Sequence, residues 1–364
     1  MSSNSILDTT ENCRHCLMCR HLCPVGNITH NETLTPHGWG QLIAMERRGL
    51  LEWDSGTIDA LYQCADCGNC ESHCVTDQPL PDAIAEARTR LASAGTAPES
   101  VLAVARKLDS SSSLYNGDSV QLPTSSGEYA LFAGDEADHF SPGSLEAAVK
   151  LLNGAGIEPI LIGRGRNDGL IPSGLGLRPQ AKKLADATVK DLSATGARHL
   201  LTLSAGSWFS FSRIYPERLE TPLGNGVTVT EVLALLHEKC EAGELALKKS
   251  KLDKPFAYID PVHSVRAENR FGTARSVIDR AFEGNRVELF WRKERSGANG
   301  HTGLQFTHPE LASKLTRARL QDAKEAGAEI LFCDDPGTVG HLKAEASGFG
   351  LDVRCLYQAL AGQL

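Results

Sequence analysis

The stretch "NCRHCLMCRHLCPVGN", residues 12–27, places four cysteines within eleven residues and a proline directly after the last of them. The same C-x2-C-x2-C-x3-C spacing returns in "CADCGNCESHC", residues 64–74. Thiols this close together form disulfides, bind zinc or bind an iron–sulfur cluster. The rest of the sequence favours one of these three uses.

The distribution of the cysteines argues against disulfides and against zinc. Eight of the eleven cysteines lie between Cys13 and Cys74 of a 364-residue chain, unlike a short secreted disulfide scaffold. The start "MSSNSILDTTEN" lacks the basic and apolar parts of a secretory signal, so we expect a reducing cytosol. Zinc sites favour separated cysteine pairs, whereas three close cysteines plus a fourth are the bacterial ferredoxin pattern. Two copies therefore predict two [4Fe–4S] clusters.

Ligation is expected to cross over between the two motifs. Three cysteines on a tight loop reach three corners of one cubane, and the fourth points away because a helix has begun. Cluster one is assigned Cys13, Cys16, Cys19 and Cys74. Cluster two is assigned Cys23, Cys64, Cys67 and Cys70. Pro24 constrains the turn after Cys23, and Val75 stands at the matching place after Cys74.

Charges near the motifs suggest different potentials for the two clusters. Arg14, His15, Arg20 and His21 surround the first motif, whereas Asp66 and Glu71 lie in the second. Positive charge stabilises the more negative, reduced cluster, so cluster one is expected to have the higher potential. The alternative is that these side chains face solvent and are screened.

The bulk composition excludes several classes of protein. The formal net charge of −8 and the pI of about 5.9 argue against a nucleic-acid partner. No apolar run is long enough for a transmembrane segment. No G-x-G-x-x-G lies between a predicted strand and helix, so no flavin or nicotinamide is expected on this chain. We expect a cytoplasmic protein, with partners as its only link to the inner membrane.

The first hundred residues carry helix patterns. Predicted helices cover residues 36–51, 54–63, 81–95 and 97–109, with Asp54 or Ser55 as the N-cap of the second. Residues 1–108 are thus predicted to form an all-helical ferredoxin-like module with two clusters. The serine-rich stretch 109–127 is predicted to be a flexible or draped linker.

Beyond the linker, apolar runs and helix patterns alternate, which predicts α/β layers with mostly parallel sheets. The predicted strands are "YALFAG", "EPILIG", "HLLTLS", "FAYID", "VELFW", "EILFC" and "LDVRCL". Gly196 aligns with Gly327, and Gly206 aligns with Gly337 at the same offset. Two related α/β repeats, residues 128–238 and 255–364, are therefore expected. The predicted fold class is α plus α/β.

This layout resembles a family that includes the heterodisulfide reductase D subunit. The family also includes the iron–sulfur subunits of glycolate oxidase and of anaerobic glycerol-3-phosphate dehydrogenase. The resemblance is specific over residues 13–74 and looser afterwards. It implies that both repeats are of the CCG type, in which further cysteines hold a cluster for thiol–disulfide chemistry.

Those further cysteines are missing here. Val262 and the segment 296–300 stand at family cysteine positions of the second repeat, as do Asp335 and Thr338. The first repeat has Asp135, Ser204 and Ser207 instead. Cys240, Cys333 and Cys355 are expected to be inert buried thiols. Five polar residues near predicted strand ends either form a zinc or hard-metal site or satisfy loop hydrogen bonds: Asp260, His263, His301, Asp335 and His341.

The resemblance implies an electron-transfer subunit of an oxidoreductase, with no catalytic residue of its own. The partner would be a flavoprotein dehydrogenase, including those that N-demethylate methylated amines. The acceptor would be an electron-transferring flavoprotein or a quinone system. The alternative is a thiol–disulfide oxidoreductase of the heterodisulfide reductase type, which the missing cysteines disfavour.

Overall fold

The computed structural model describes residues 6–115, 126–266 and 270–364. Helices make up the N-terminal part, and parallel sheets flanked by helices make up the remainder. The predicted fold class, α plus α/β, is therefore confirmed. The division into domains with the stated boundaries stays a prediction.

Seven helices are found in residues 6–115: α1 (Met18–Leu22), α2 (Pro24–Thr29), α3 (Pro36–Arg47), α4 (Ser55–Tyr62), α5 (Asn69–Ser72), α6 (Leu80–Ser93) and α7 (Glu99–Ser110). Local signals set their starts. The Asp54 carboxylate accepts a hydrogen bond from the Thr57 N–H at 2.7 Å, and the Thr57 hydroxyl accepts one from the Asp54 N–H. This capping box satisfies two backbone donors at the start of α4, and its N-cap, Asp54, is one of the two residues that the sequence offered for that position. Trp39, Leu61 and Ile84 are buried where α3, α4 and α6 meet.

The first sheet contains four parallel strands: β1 (Tyr129–Gly134), β2 (Ile160–Arg164), β3 (His199–Thr202) and β4 (Thr228–Glu231). Their order is β2-β1-β3-β4. The accompanying helices are α8 (Glu136–Phe140), α9 (Ser144–Gly154), α10 (Leu170–Gly174), α11 (Arg178–Thr195), α12 (Ala205–Phe209) and α13 (Val232–Glu241), with a π-helix at Ser210–Arg218. The sequence analysis missed β4, a short strand whose threonines are exposed or only half-buried.

The second half has the parallel sheet β6-β8-β9, formed by β6 (Phe256–Tyr258), β8 (Ile330–Cys333) and β9 (Asp352–Cys355). A small parallel pair joins β5 (Ser250–Lys251) and β7 (Phe282–Glu283). The helices are α14 (Arg270–Ala281), α15 (Leu304–Thr307), α16 (Pro309–Glu325), α17 (Pro336–Ala346) and α18 (Leu356–Ala361).

The predicted strand "VELFW", residues 287–291, is wrong. The structure assigns no strand to these residues, and the isolated bridge nearest to them, between Phe256 and Arg286, lies directly before the segment. The Asp322 carboxylate accepts the N–H groups of Phe290 and Trp291, each at 3.0 Å. A side chain therefore takes the backbone donors that a strand ladder would need.

The two halves share one apolar core. Leu151 of α9 and Leu236 of α13 belong to the same buried cluster as Val277 of α14 and Leu360 of α18. Polar groups cross the same boundary, because the Tyr357 hydroxyl donates to the Leu203 carbonyl at 3.0 Å. The carboxyl ends of the two larger sheets are thereby held against one another.

The start of the predicted linker is packed against the first sheet. The Leu114 N–H and the Ser113 hydroxyl donate to the Asp135 carboxylate at 2.9 and 3.2 Å. The Tyr115 ring stacks on His139 with 4.5 Å between ring centroids. Residues 111–115 are thus ordered by contacts, and residues 116–125 of the predicted linker lie outside the described residues.

Candidate functional site

The two cysteine loops share one backbone conformation. His15 and Asp66, each two residues after the first cysteine, have φ of 54° and 47°. Leu17 and Gly68, each four residues after it, have φ of 60° and 86°. Non-glycine residues rarely adopt the left-handed backbone conformation, so the backbone is strained at His15, Leu17 and Asp66. The left-handed residues stand at equivalent positions of the two loops. Each loop therefore forms a tight turn around its own thiols.

Backbone N–H groups point at the sulfurs within both loops. The His15 N–H donates to Cys13 Sγ at 3.4 Å, and the Asp66 N–H donates to Cys64 Sγ at 3.5 Å. Hydrogen bonds to sulfur favour the thiolate and are one of the factors that set cluster potentials. The equivalent contacts give both loops the same donor pattern.

In each motif a helix begins one residue before the third cysteine and ends before the fourth, in line with the expectation that a helix has begun before the fourth thiol. Helix α1 contains Cys19 and helix α5 contains Cys70. Cys23 is the N-cap of α2, where its thiol accepts the Gly26 N–H at 3.4 Å and Pro24 occupies the first helical position. The chain therefore turns at Cys23 and carries this buried thiol away from the first loop.

Four thiols act on one another in the first group, which we name the outer thiol group: Cys13, Cys16, Cys19 and Cys74. Burial raises the pKa of Cys19 to about 11, and the negative charges of Cys13, Cys74 and Cys16 raise it as well. Burial also acts to raise the pKa of Cys74, but hydrogen bonds from Thr76 and Gln78 hold it below its usual value. Cys16 is exposed.

The second group, which we name the inner thiol group, comprises Cys23, Cys64, Cys67 and Cys70. Burial raises the pKa of Cys70 well above its usual value, and the charges of Cys64, Cys67 and Cys23 act in the same direction. Burial likewise raises the pKa of Cys23, with contributions from Cys67 and Cys64. Each group thus draws thiols from both motifs. Four thiolates in one group repel one another electrostatically. The positive charge of a bound iron–sulfur core offsets that repulsion.

Arg266 lies directly on the inner loop. A Cβ at Gly68 would come within 2.1 Å of Arg266 Nε, so only glycine fits there. The guanidinium stacks on the Phe209 ring at 4.3 Å and donates to the Asp66 carboxylate at 3.4 Å. Within the described residues, Nε and Nη1 of Arg266 have no hydrogen-bond acceptor. A buried cation with free donors suits a group that carries acceptor sulfurs.

Three more groups of the second half hold the inner loop. His263 Nε2 donates to the Asp66 carbonyl at 2.8 Å, and the Thr302 hydroxyl donates to the Ala65 carbonyl. The Ala298 N–H bonds to Cys67 and lowers its pKa against the larger effect of burial. The loops that follow β6 and precede α15 therefore clamp the inner thiol group.

A second buried cation also forms a hydrogen bond with the backbone of this loop. Arg88 of α6 donates to the carbonyls of Cys64 at 2.8 Å, Leu61 at 2.7 Å and Gly174 at 2.8 Å. The sequence analysis assigned no role to Arg88 or Arg266, because an arginine within a helix pattern or loop carries no local signal of its tertiary partner. In the sequence, Gly68 between two cysteines was the feature that hinted at a close neighbour of this loop.

The outer thiol group lies near the surface. Three large apolar residues next to cysteines of this group are exposed: Leu17 and Met18, which follow the exposed Cys16, are 39% and 48% exposed, and Val75, which follows Cys74, is 67% exposed. Arg20, which the sequence suggested as a cation near this group, is exposed and forms an ion pair with Glu32 at 2.7 Å. The buried cations therefore accompany the inner group rather than the outer one.

The five polar candidates near strand ends separate into three situations. Asp260 accepts two hydrogen bonds from Arg275, at 2.9 and 2.8 Å, and His263 holds the inner loop. His301 and Asp335 approach each other, with Nε2 and Oδ1 3.8 Å apart. His341 lies beside His301, with 5.6 Å between ring centroids, and burial lowers its pKa to about 4.

An acidic crevice accompanies His301 and Asp335. Burial raises the pKa of Asp135 to about 7 and that of Asp168 to about 6, and the nearby Glu136 raises both. Burial would lower the pKa of His301, but Glu136 and Asp335 raise it to about 9. The sequence analysis did not single out Glu136, which directly follows Asp135 on α8.

The three remaining cysteines are buried, as expected. Cys240, Cys333 and Cys355 are 7%, 0% and 1% exposed, and burial raises the pKa of all three. Their thiols are therefore held in the unreactive protonated form. Among the described residues, no helix has both the length and the apolar character to span a membrane.

Comparison with known proteins gives a match to one protein family and matches to solved structures. Residues 9–77 match the family described as "4Fe-4S dicluster domain". No curated protein matches the chain in sequence. A crystal structure of a hypothetical protein from Helicobacter pylori has a similar fold, with a TM-score of 0.62 and 12% identity. The match covers 90% of this chain and 68% of that one, and at this identity it informs on fold alone.

The family match covers both cysteine motifs, from before Cys13 to beyond Cys74. It agrees with the chemistry of eight clustered thiols, which suits iron–sulfur ligation. This chain is therefore an iron–sulfur protein with an electron-transfer role.

Proposed function

We propose that the protein is a two-cluster electron-transfer subunit that works beside a flavoprotein dehydrogenase. The outer thiol group, Cys13, Cys16, Cys19 and Cys74, ligates one [4Fe–4S] cluster. The inner thiol group, Cys23, Cys64, Cys67 and Cys70, ligates the other. When bound, such clusters accept and release single electrons. The observation that carries the proposal is that Cys74 of the second motif lines the same cavity as Cys13, Cys16 and Cys19 of the first, and the electrostatic effect of Cys23 on Cys70 supports the second set.

The two thiol groups have different surroundings, and this difference supports a proposal for which cluster contacts a partner protein. The outer group lies beneath exposed apolar side chains, including Met18 and Val75, and this surface suits transient protein contact. The inner group is clamped by Arg266, His263 and Thr302 of the second half. We therefore propose that the outer cluster exchanges electrons with a partner protein. The inner cluster is the one held in the interior of this chain.

The partner is proposed to be a flavoprotein that oxidises an organic substrate, with methylated amines as one substrate class. An electron-transferring flavoprotein or a quinone system would be the acceptor at the other end. This part of the proposal rests on the family resemblance of the cysteine motifs and on the α/β layout behind them.

Metal counting with electron paramagnetic resonance tests the proposal. Anaerobically purified protein should contain about eight irons and eight sulfides per chain, and reduction should produce signals from two cubane clusters. About four irons with one signal would contradict the two-cluster assignment. A further paramagnetic centre after thiol treatment would favour the thiol–disulfide oxidoreductase instead.

Replacing Arg266 with glutamine should lower the midpoint potential of the inner cluster. The substitution removes a buried positive charge beside Gly68 and leaves the Asp66 carboxylate uncompensated, and both changes disfavour the reduced cluster. We expect a shift on the order of tens of millivolts. Redox titration followed by electron paramagnetic resonance measures it, with the iron content as the check on folding.

Arg20→Gln is the matched control for this prediction. Arg20 lies beside the first motif, but it is exposed and paired with Glu32. Water and salt screen exposed charges, so this variant should shift neither potential appreciably. Equal potentials in Arg266→Gln and the unmodified protein would show that Arg266 does not tune the inner cluster.

A further inference from the structure

Three side chains from distant parts of the chain meet where the two larger sheets face each other. Glu136 begins α8 directly after β1, Asp335 is the N-cap of α17 after β8, and His301 lies in the loop before α15. His301 Nε2 lies 3.6 Å from Glu136 Oε1 and 3.8 Å from Asp335 Oδ1. One donor atom from each residue lies within 4.8 Å of the other two.

These separations approach those of a metal site. Nitrogen and oxygen ligands bound to zinc at 2.0–2.2 Å in a tetrahedron lie roughly 3.3–3.6 Å apart. The two distances from His301 Nε2, 3.6 and 3.8 Å, reach or exceed the upper end of this range by a few tenths of an ångström, and the Glu136 and Asp335 oxygens lie within 4.8 Å of each other. One imidazole and two carboxylates are also ligands that divalent first-row metals accept.

The surroundings hold the three side chains as a built site. A Cβ at Gly337 would come within 2.4 Å of His301 Nε2 and within 2.9 Å of Glu136 Oε2, so the absence of a side chain there keeps the space between them open. The Asp335 carboxylate accepts the Thr338 N–H at 2.6 Å, which fixes it as the cap of α17. His301 and Asp335 are 6% and 2% exposed.

The second nitrogen of His301 has the partner that a metal-binding histidine needs. His301 Nδ1 lies 3.3 Å from Oδ1 of the buried Asn299, which can accept its hydrogen. A hydrogen bond of this kind directs Nε2 toward the metal and fixes the ring orientation. Nε2 is the nitrogen that faces Glu136 and Asp335.

The charge balance of the crevice favours a cation with more than one charge. The Glu136 and Asp335 carboxylates, which carry two negative charges, lie 3.6 and 3.8 Å from the one imidazole nitrogen, His301 Nε2. A protonated His301 alone supplies one positive charge to this acidic group. The competing interpretation is therefore an ion pair between the His301 imidazolium and the two carboxylates, and it has to be separated from metal binding by experiment.

We propose that Glu136, His301 and Asp335 bind one divalent first-row transition metal ion, distinct from the two thiol groups. Three protein ligands leave a coordination position for water or for an oxygen of a small ligand, as in open rather than structural metal sites. The crevice beside that position is lined by Asp168, Ser204 and Ser207. The inference stands independently of which proteins exchange electrons with the clusters.

Zinc binding by the cluster-loaded protein tests this site. Protein with its iron content intact is dialysed against micromolar zinc, and zinc and iron are counted in the same sample by mass spectrometry. Intact clusters keep the eight cysteines from binding zinc themselves. We expect one zinc per chain, and His301→Gln should weaken this binding at least about 100-fold, since it removes a ligand rather than an outer-shell group.

Asp138→Asn is the matched control, because Asp138 lies on the same short helix as Glu136 but is exposed and bonded to Arg164. This variant should bind zinc as the unmodified protein does. Glu136→Gln provides a second test that is independent of folding around His301. No zinc in the unmodified protein would overturn the proposal, because zinc binds such ligands more tightly than manganese or iron(II) does. Full zinc binding by Glu136→Gln would overturn it equally and would leave the ion pair as the explanation.

Discussion

Combining Cys16→Ala with Cys23→Ala should remove nearly all iron, whereas combining Cys23→Ala with Cys67→Ala should leave about four irons per chain. Cys16 belongs to the outer thiol group, and Cys23 and Cys67 both belong to the inner one. The first pair therefore disrupts both proposed clusters, and the second pair disrupts only one. Iron and sulfide counting of the anaerobically purified variants is the measurement.

If each motif instead ligates its own cluster, the iron contents expected for the two double variants are reversed. Cys16 and Cys23 would then serve the same cluster, so their double variant would keep about four irons and the Cys23–Cys67 variant would lose all. Neither cluster needs to be identified spectroscopically for this test. Cys240→Ala is the control, because this buried thiol belongs to neither group and its loss should leave about eight irons.

Replacing Arg270 with methionine should strongly destabilise the α/β part. Arg270 of α14 is 4% exposed and bonds both Glu231, at the end of β4, and Asp334, directly after β8. It thus ties the first sheet to the second. Removing one partner of a buried ion-pair network costs about 3–5 kcal/mol, because the charges that remain are buried without compensation.

Thermal unfolding of the cluster-loaded protein checks this prediction. For a chain of this length the unfolding temperature should fall by roughly 4–7 °C if the chain unfolds as one unit. Arg280→Met on the same helix is the control: Arg280 is exposed, and its ion pair with the exposed Glu241 should contribute little to stability because water and salt screen it. Equal unfolding temperatures of the two variants would refute the role assigned to Arg270. Adding Glu231→Gln and Asp334→Asn to Arg270→Met should restore part of the loss, since both uncompensated charges are then removed.

Much of the fold follows from local patterns in the sequence. The strand predicted over residues 129–134 and the helices predicted over 54–63, 81–95 and 97–109 agree with β1, α4, α6 and α7 to within a residue or two. Apolar periodicity and capping residues act over a few positions, so they can be read without the tertiary structure. The predicted strand over 287–291 failed because Asp322, more than thirty residues away, binds its backbone donors.

The candidate sites show the same division. Spacing alone identified eight thiols and their chemistry, and the family match over residues 9–77 agrees with that chemistry. The cations Arg88 and Arg266 could not be placed, because their partners come from other helices and loops. The sequence analysis considered His301 and Asp335 but not Glu136, which carries no motif and acquires its neighbours only when the carboxyl ends of β1 and β8, from two different sheets, come together in the fold.

By itself, the sequence determined that this protein gathers eight cysteines in two equal motifs and follows them with alternating strands and helices. These features are local, since spacing, turn residues and periodicity are set by near neighbours along the chain. Only the tertiary structure decided that loops of the second half clamp the inner thiol group and that Glu136, His301 and Asp335 converge. The physical reason is that the two parallel sheets pack against each other through one apolar core, so that loops after the carboxyl ends of their strands meet and side chains far apart in sequence become neighbours.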